Sequence, residues 1–329
     1  MKLEIKFPVS KGVFCFLSNL RNYLQYYGLN ISENFLSVAI GYMGFYFNKN
    51  TLASREVVHG RDYSFNILFE RFRECIDTPV QEYRDYCDER TICFLKGLLN
   101  EKIVPLLWIN DFYLKHTEYY KRCEYKSIVP VIAIEGQKVM YYDNAIREMA
   151  ISEFLNAVAF AGVCEAYYIK GRSVNWKADK AVIVQNGLGT IAQGLTNAYR
   201  HWEFYTGIEG MKQFMLAVEG CNDKDTIFNY YYQLNRPGGL AVTRENMGIF
   251  FTQWCDENEQ QALQECRNIY ERLSTQWRVI SNNLFRLSRF YNVELHVRII
   301  ERIQDVIDME IIGANCIEEL VPKVYAVHE

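Results

Sequence analysis

Residues Cys15 to Gly28 read Cys-Phe-Leu-Ser-Asn-Leu-Arg-Asn-Tyr-Leu-Gln-Tyr-Tyr-Gly. Leu17, Leu20, Leu24 and Tyr27 fall at i, i+3, i+7 and i+10, one face of an α-helix, and Gly28 follows where a helix stops. The pattern predicts a first helix over residues 16–27. Cys15 then sits where that helix begins. Unpaired backbone N–H groups and the positive end of the helix dipole favour a thiolate there, and the same N–H groups can receive an oxyanion during acyl transfer. This position makes Cys15 a candidate nucleophile, against the commoner fate of a free cysteine, which is inert burial.

Working outward, Ser32 can cap a second short helix with Leu36, Ala39 and Ile40 facing inward, and Tyr42 to Phe47 reads as an aromatic strand. Val104–Ile109 and Ile128–Ile134 have the length and β-branched content of buried strands. Gly136 and Gln137 turn the second of these into a partner, Val139–Tyr142. The first 144 residues thus predict an α+β unit, with Asp143-Asn144 as its exit. Residues 145–329 predict an all-α helical domain. Its clearest stripe is Cys266, Ile269, Leu273, Trp277, Ile280, Leu284 and Leu287, and Leu295, Ile299, Ile303 and Val306 repeat it. Arg236-Pro237-Gly238-Gly239 is a break before a helical segment Thr243–Trp254, and Asn186-Gly187-Leu188-Gly189 reads as a turn or helix break. Such stripes serve an intrachain bundle or a homodimer interface equally well.

Composition excludes several classes of function. The 329 residues carry 36 Lys+Arg and 40 Asp+Glu, a net charge of -4, with no basic run to track phosphates, so nucleic acid is not an expected partner. The longest nearly apolar stretch, Phe154–Cys164, is about half of what a membrane helix needs. Lys2, Lys6, Pro8 and Lys11 interrupt any signal-peptide core, and ten scattered cysteines in so long a chain predict free thiols in a reducing cytoplasm. No Cys-x-x-Cys, His-x-x-x-His or P-loop is present, so neither a metal nor a directly bound cofactor is expected.

A thiol nucleophile needs a base and a group to orient it, in the chain order Cys, His, Asp/Asn in papain-like folds. Asp143, at the end of a predicted strand, supplies the third element. Of the two histidines in the first 144 residues, His116 follows Trp108-Ile-Asn-Asp111-Phe-Tyr113-Leu and can reach a cleft from a loop, whereas His59 has less to recommend it. An exposed loop histidine without a role is the competing reading of His116.

The run Cys15 to Gly28, continuing Leu-Asn-Ile-Ser-Glu33, then Gly41-Tyr-Met-Gly44-Phe-Tyr, resembles the opening of the butirosin biosynthesis protein H family of cysteine-protease-type acyltransferases. The resemblance continues through Pro105-Leu-Leu-Trp-Ile-Asn-Asp111-Phe-Tyr113-Leu, Val131-Ile-Ala-Ile-Glu-Gly136 and Tyr142-Asp143. In the second half it includes Pro237-Gly-Gly239, Arg244, Phe250-Phe251 and Trp277. It implies a papain-like N-terminal domain followed by a helical C-terminal domain. It also implies transfer of an acyl group from the phosphopantetheine thioester of an acyl or peptidyl carrier protein to a small amine, forming an amide in natural-product assembly. Under it Cys15 accepts the acyl group, Asp143 orients the base, and Asp111, Tyr113 and Arg244 contact substrate. The family's histidine would fall near Val129 or Pro130, where this chain has none. Three routes stay open: acylation of Cys15 with His116 or the substrate amine taking the proton, positioning of thioester and amine without an acyl-enzyme, and a non-catalytic binding subunit.

Overall fold

The leucine stripe folds as its spacing predicts. Helix α1 spans Cys15–Tyr26, one residue earlier than the periodicity predicts, so that Cys15 is its first residue. Leu17, Leu20 and Leu24 are wholly buried, and Gly28 takes a φ of +87°, the left-handed conformation that closes helices. The Ser32 hydroxyl accepts from the Phe35 N–H at 3.1 Å and caps α2, Glu33–Ala39. This computed structural model describes residues 5–48, 57–61, 64–122, 124–197, 204–258 and 261–321. The protein is mixed α+β, 57% helical, with two antiparallel sheets and a helical C-terminal region. Among the described residues no helix is long and apolar enough to cross a membrane.

The chain parts into two compact units, Met1–Leu36 with Arg73–Ala178, and Ser37–Phe72 with Asp179–Glu329, where the sequence reading drew one boundary at Asn144. The first unit holds a six-stranded sheet. Its strands are β3 (Val80–Tyr86), β4 (Leu106–Asn110), β5 (Lys126–Glu135), β6 (Lys138–Tyr142), β7 (Ile146–Ala150) and β8 (Val163–Ile169), in the spatial order β3-β8-β4-β5-β6-β7. Leu107, Ile109, Val129, Val131, Val139 and Tyr141 face a core completed by Leu95 and Leu99 of α4 (Glu89–Asn100) and Phe154, Ala157 and Val158 of α5 (Ile151–Val158). Side chains alternate across a strand, so Trp108 and Ile128 belong to the other face. There Phe16 of α1 stacks on Trp108 at 6.5 Å, and the Asn19 amide donates to the Ile128 carbonyl at 2.8 Å.

Among the described residues three strands fall after residue 145, so the expectation of an all-α remainder is corrected. Asp143-Asn144 is a hairpin turn into β7 rather than an exit, and β8 sits inside the sheet, between β3 and β4. The apolar run Phe154–Cys164 is divided between the end of α5 and the start of β8.

The second unit contains the three-stranded sheet β2 (Val58–Arg61), β1 (Met43–Asn48), β9 (Phe204–Thr206). Around it lie α6 (Lys180–Thr196), α7 (Gly207–Glu219), α8 (Lys224–Asn235), α9 (Leu240–Asn258), α10 (Gln261–Arg289) and α11 (Val293–Leu320). The Pro-Gly-Gly break, the helix after it and the two long striped helices form where the sequence predicts them. Asn186-Gly187-Leu188-Gly189 is instead continuous helix within α6. Gly187 serves close packing, because a Cβ there would lie 2.0 Å from the Val38 carbonyl oxygen. Cys266 and Cys316 form a disulfide between α10 and α11, which corrects the expectation of free thiols for this pair; Cys123 lies outside the described residues.

Gly187→Ala reverses the usual gain of alanine over glycine in a helix and is expected to destabilise the fold by about 1–3 kcal/mol through overpacking. Gly194→Ala in the same helix, with nothing within 4 Å of the added Cβ, is expected to be neutral or stabilising by up to about 1 kcal/mol. Urea unfolding of the two variants beside the parent checks the opposite signs.

Candidate functional site

Cys15 opens α1 behind a loop that side chains hold in place. The Glu33 carboxylate accepts from the backbone N–H groups of Phe14 at 2.7 Å and of Val13 at 3.1 Å, and it pairs with Arg21 at 3.4 Å. Arg21 also donates to the carbonyl and hydroxyl oxygens of Ser10, which fixes the chain upstream. Gly12 passes so close to Glu33 that a Cβ there would lie 1.8 Å from Oε2. Phe14, in the capping position, contributes no side-chain bond to the helix start.

The hairpin between β6 and β7 presents two consecutive residues to this region. Asp143 is 5% exposed; its Oδ2 lies 2.7 Å from His116 Nε2, and its Oδ1 accepts from Asn19 Nδ2 at 3.3 Å. Because a carboxylate only accepts, Nε2 of His116 is the donor in this hydrogen bond. Asn144 takes a φ of +50°, donates from Nδ2 to Cys15 Sγ at 3.2 Å and accepts the Gly12 N–H on Oδ1 at 3.3 Å.

His116 is delivered by the segment between β4 and β5. Asn110 caps its start by accepting from the N–H groups of Phe112 at 3.1 Å and Tyr125 at 3.3 Å. Leu114 is buried in the core, and the Thr117 hydroxyl returns to the Asp111 carbonyl at 3.1 Å. The structure therefore brings together Cys15, Asp143 and His116 with Asp111, which is buried and acts electrostatically on the Cys15 thiol. Tyr113 closes the short 3-10 turn Asp111–Tyr113, half-buried, its ring 5.1 Å from that of Phe112.

Arg244 is placed otherwise. It belongs to the second unit, wholly buried, donating to Glu310 at 2.8 and 3.0 Å and to the carbonyls of Gly44 at 2.7 Å and Gly60 at 3.1 Å. These bonds occupy its guanidinium with the fold, and its expected contact with substrate is corrected to a structural role. A buried guanidinium has to be paired, which is why an arginine among apolar helix residues need not mark a binding site. The chemical reading of the sequence missed Asn19, Glu33 and Asn144. Asn19 stands one helical turn from Cys15, and that i+4 spacing was the available signal. Asn144 adjoined the residue already singled out.

Burial pushes the Cys15 thiol up to about 12, with the carboxylates of Asp143 and Asp111 adding to the rise. The bonds from Asn144 and from its own backbone N–H oppose it without prevailing. Cys15 reaches the surface, yet protein crowds its sulfur and the resting group is a protonated thiol. The helix terminus alone does not make a thiolate here. Asp143 links the two groups, contacting the His116 ring and acting electrostatically on the Cys15 thiol. Among the described residues no group of three or more His, Cys, Asp or Glu is placed to hold a metal ion. No family model matches the sequence, and no curated protein matches it.

Asp111→Asn removes one of the two carboxylates that raise the thiol and is expected to lower its pKa. Iodoacetamide alkylation of Cys15 at pH 8 then accelerates by up to about tenfold, the equivalent of about one pKa unit. An unchanged rate, read by peptide mass, refutes the electrostatic account of this site.

Proposed function

We propose that the chain is a cysteine-dependent acyltransferase with a papain-like first unit, of the butirosin biosynthesis protein H type. In this reading Cys15 takes an acyl group from the phosphopantetheine thioester of a carrier protein and passes it to a small amine. The observation that supports it best is the contact of His116 with Asp143, 2.7 Å, on a hairpin whose next residue touches the Cys15 sulfur. The histidine absent from the strand near Val129 is replaced by one from the preceding loop. Chain order is kept: Cys15, His116, Asp143.

The steps follow from the residues. As Sγ attacks the thioester carbonyl, its proton passes to Nδ1 of His116, and Asp143 stabilises the imidazolium through Nε2–H. The bond to the carrier's sulfur breaks, and that thiolate leaves with the proton from His116. The amine then attacks the acyl-cysteine, His116 takes its proton, and the Cys15 sulfur leaves, regaining a proton as the amide forms. Exchange between a thiol and a thioester is nearly isoenergetic, so a thiol that rests protonated suits this donor better than an amide donor. Asp111 and Tyr113 stand at the start of the loop that carries His116 and are proposed to contact the acceptor.

Intact-protein mass spectrometry after incubation with acyl thioesters, free and carrier-bound, tests the reading. An acyl adduct is expected on the parent and is lost in Cys15→Ala. His116→Ala is expected to slow single-turnover acylation by about 10²- to 10⁴-fold. Turnover that survives Cys15→Ala removes the acyl-enzyme, and undiminished acylation in His116→Ala removes the base.

A further inference from the structure

We propose that the side-chain amide of Asn144, together with the backbone N–H of Cys15, forms the oxyanion site of this centre; the inference rests on the acyl-transfer reading and names the groups that would stabilise its tetrahedral intermediate. Acyl transfer develops negative charge on the carbonyl oxygen of the carbon that bonds to sulfur, and donors fixed in advance around that oxygen lower the barrier. The N–H groups of the loop just before the helix are assigned. Gly12 donates to Asn144, and Val13 and Phe14 donate to Glu33. The Cys15 N–H is directed at its own sulfur, and Asn144 Nδ2 reaches the same sulfur from the hairpin at 3.2 Å. These two donors converge on the atom to which the reacting carbon must bond.

The orientation of the Asn144 amide follows from its other contact. A backbone N–H can only donate, so the edge facing Gly12 is Oδ1, and Nδ2 is the edge turned to Cys15. The backbone supports this. Asn144 adopts a left-handed φ of +50°, which Asn tolerates better than most residues. Neither partner is free to drift: the hairpin is held by pairing of Tyr142 with Ile146, and the loop by Glu33. When a carbonyl carbon occupies sulfur, the amide needs only to pass its hydrogen bond from Sγ to the adjacent oxygen. The role differs from that of His116, which moves a proton, and from that of Asp143, which holds the base.

A short aliphatic aldehyde isolates the proposed function because it forms the tetrahedral adduct without a leaving group. The thiol adds to the C=O, the S–C bond forms, the carbonyl π pair moves to oxygen, and the thiol proton passes to His116, leaving an alkoxide for the two donors to hold, with no change of oxidation state. The full-length protein is incubated with the aldehyde and then iodoacetamide, and alkylation of the Cys15 peptide is followed by mass. The aldehyde is expected to protect the parent. Asn144→Ala is expected to weaken protection by about a hundredfold, in the range of an oxyanion donor, while alkylation without aldehyde slows by less than about tenfold through loss of the amide's bond to the sulfur. Asn144→Gly, which suits a left-handed φ, should behave alike and guards against misfolding. Equal protection in the parent and both variants overturns the proposal, as does absence of protection in the parent. It is also overturned if alkylation falls as far as protection does, since the amide would then act on the sulfur alone. Acylation by a carrier-bound thioester is read separately: an Asn144-dependent aldehyde effect with no acyl adduct overturns the acyl-transfer reading and leaves the oxyanion assignment standing.

Discussion

The site depends on a three-residue turn. Asp143, Asn144 and Ala145 connect β6 to β7, and the left-handed φ of Asn144 directs consecutive side chains to different partners, Asp143 to His116 and Asn144 to the Cys15 sulfur. In a regular strand, neighbours point to opposite faces, and consecutive residues could not reach both His116 and the Cys15 sulfur. The turn places both residues at one edge of the sheet. The sheet supplies the rigidity: Val139 and Tyr141 are packed into the core and Tyr142 bonds the Ser10 carbonyl at 2.7 Å, so strand packing fixes the turn from behind.

A second constraint meets the first at Cys15. Glu33 replaces a conventional cap, gathering the N–H groups of Val13 and Phe14 from outside the helix and leaving the Cys15 N–H facing the sulfur. A serine or aspartate at the capping position would bond the N–H groups of the first turn directly and crowd the Cys15 sulfur. The close approach of Gly12 to Glu33 is the corresponding demand on the chain, since any larger residue collides with the carboxylate.

Much of this was readable from local pattern. The stripe of α1, its glycine stop, the position of Cys15, and the strands that became β4, β5 and β6 are short-range features whose periodicity survives in the fold. What was not readable depended on partners distant in the chain. The alternation of β8 is mild, and only its place between β3 and β4 makes Cys164 and Ala166 core residues. His116 looks like any loop histidine until Asn110 closes the loop and Asp143 receives the ring. Gly187 resembles a helix breaker because its reason, the Val38 backbone, lies about 150 residues away. Arg244 was given a substrate contact by the family resemblance alone. Its pairing with Glu310, to which Trp277 Nε1 also donates at 2.9 Å, could not be inferred from spacing.

The electrostatics decide which chemistry suits the site. Helix-terminal N–H groups and the Asn144 amide favour a thiolate, while burial and two carboxylates oppose it, and the opposition wins. A preformed thiolate, the usual device for attacking a poorly reactive amide, is therefore not what this arrangement stabilises at rest. Under the proposed acyl transfer, the donors around the sulfur find a better partner once charge moves to a carbonyl oxygen. In that proposal the carboxylate that raises the thiol, Asp143, also stabilises the imidazolium created by proton transfer. The same Asp143 charge would then penalise the ionised ground state and favour the ionised intermediate. That differential is what a catalytic site needs, because only an interaction stronger in the transition state than before it speeds the step.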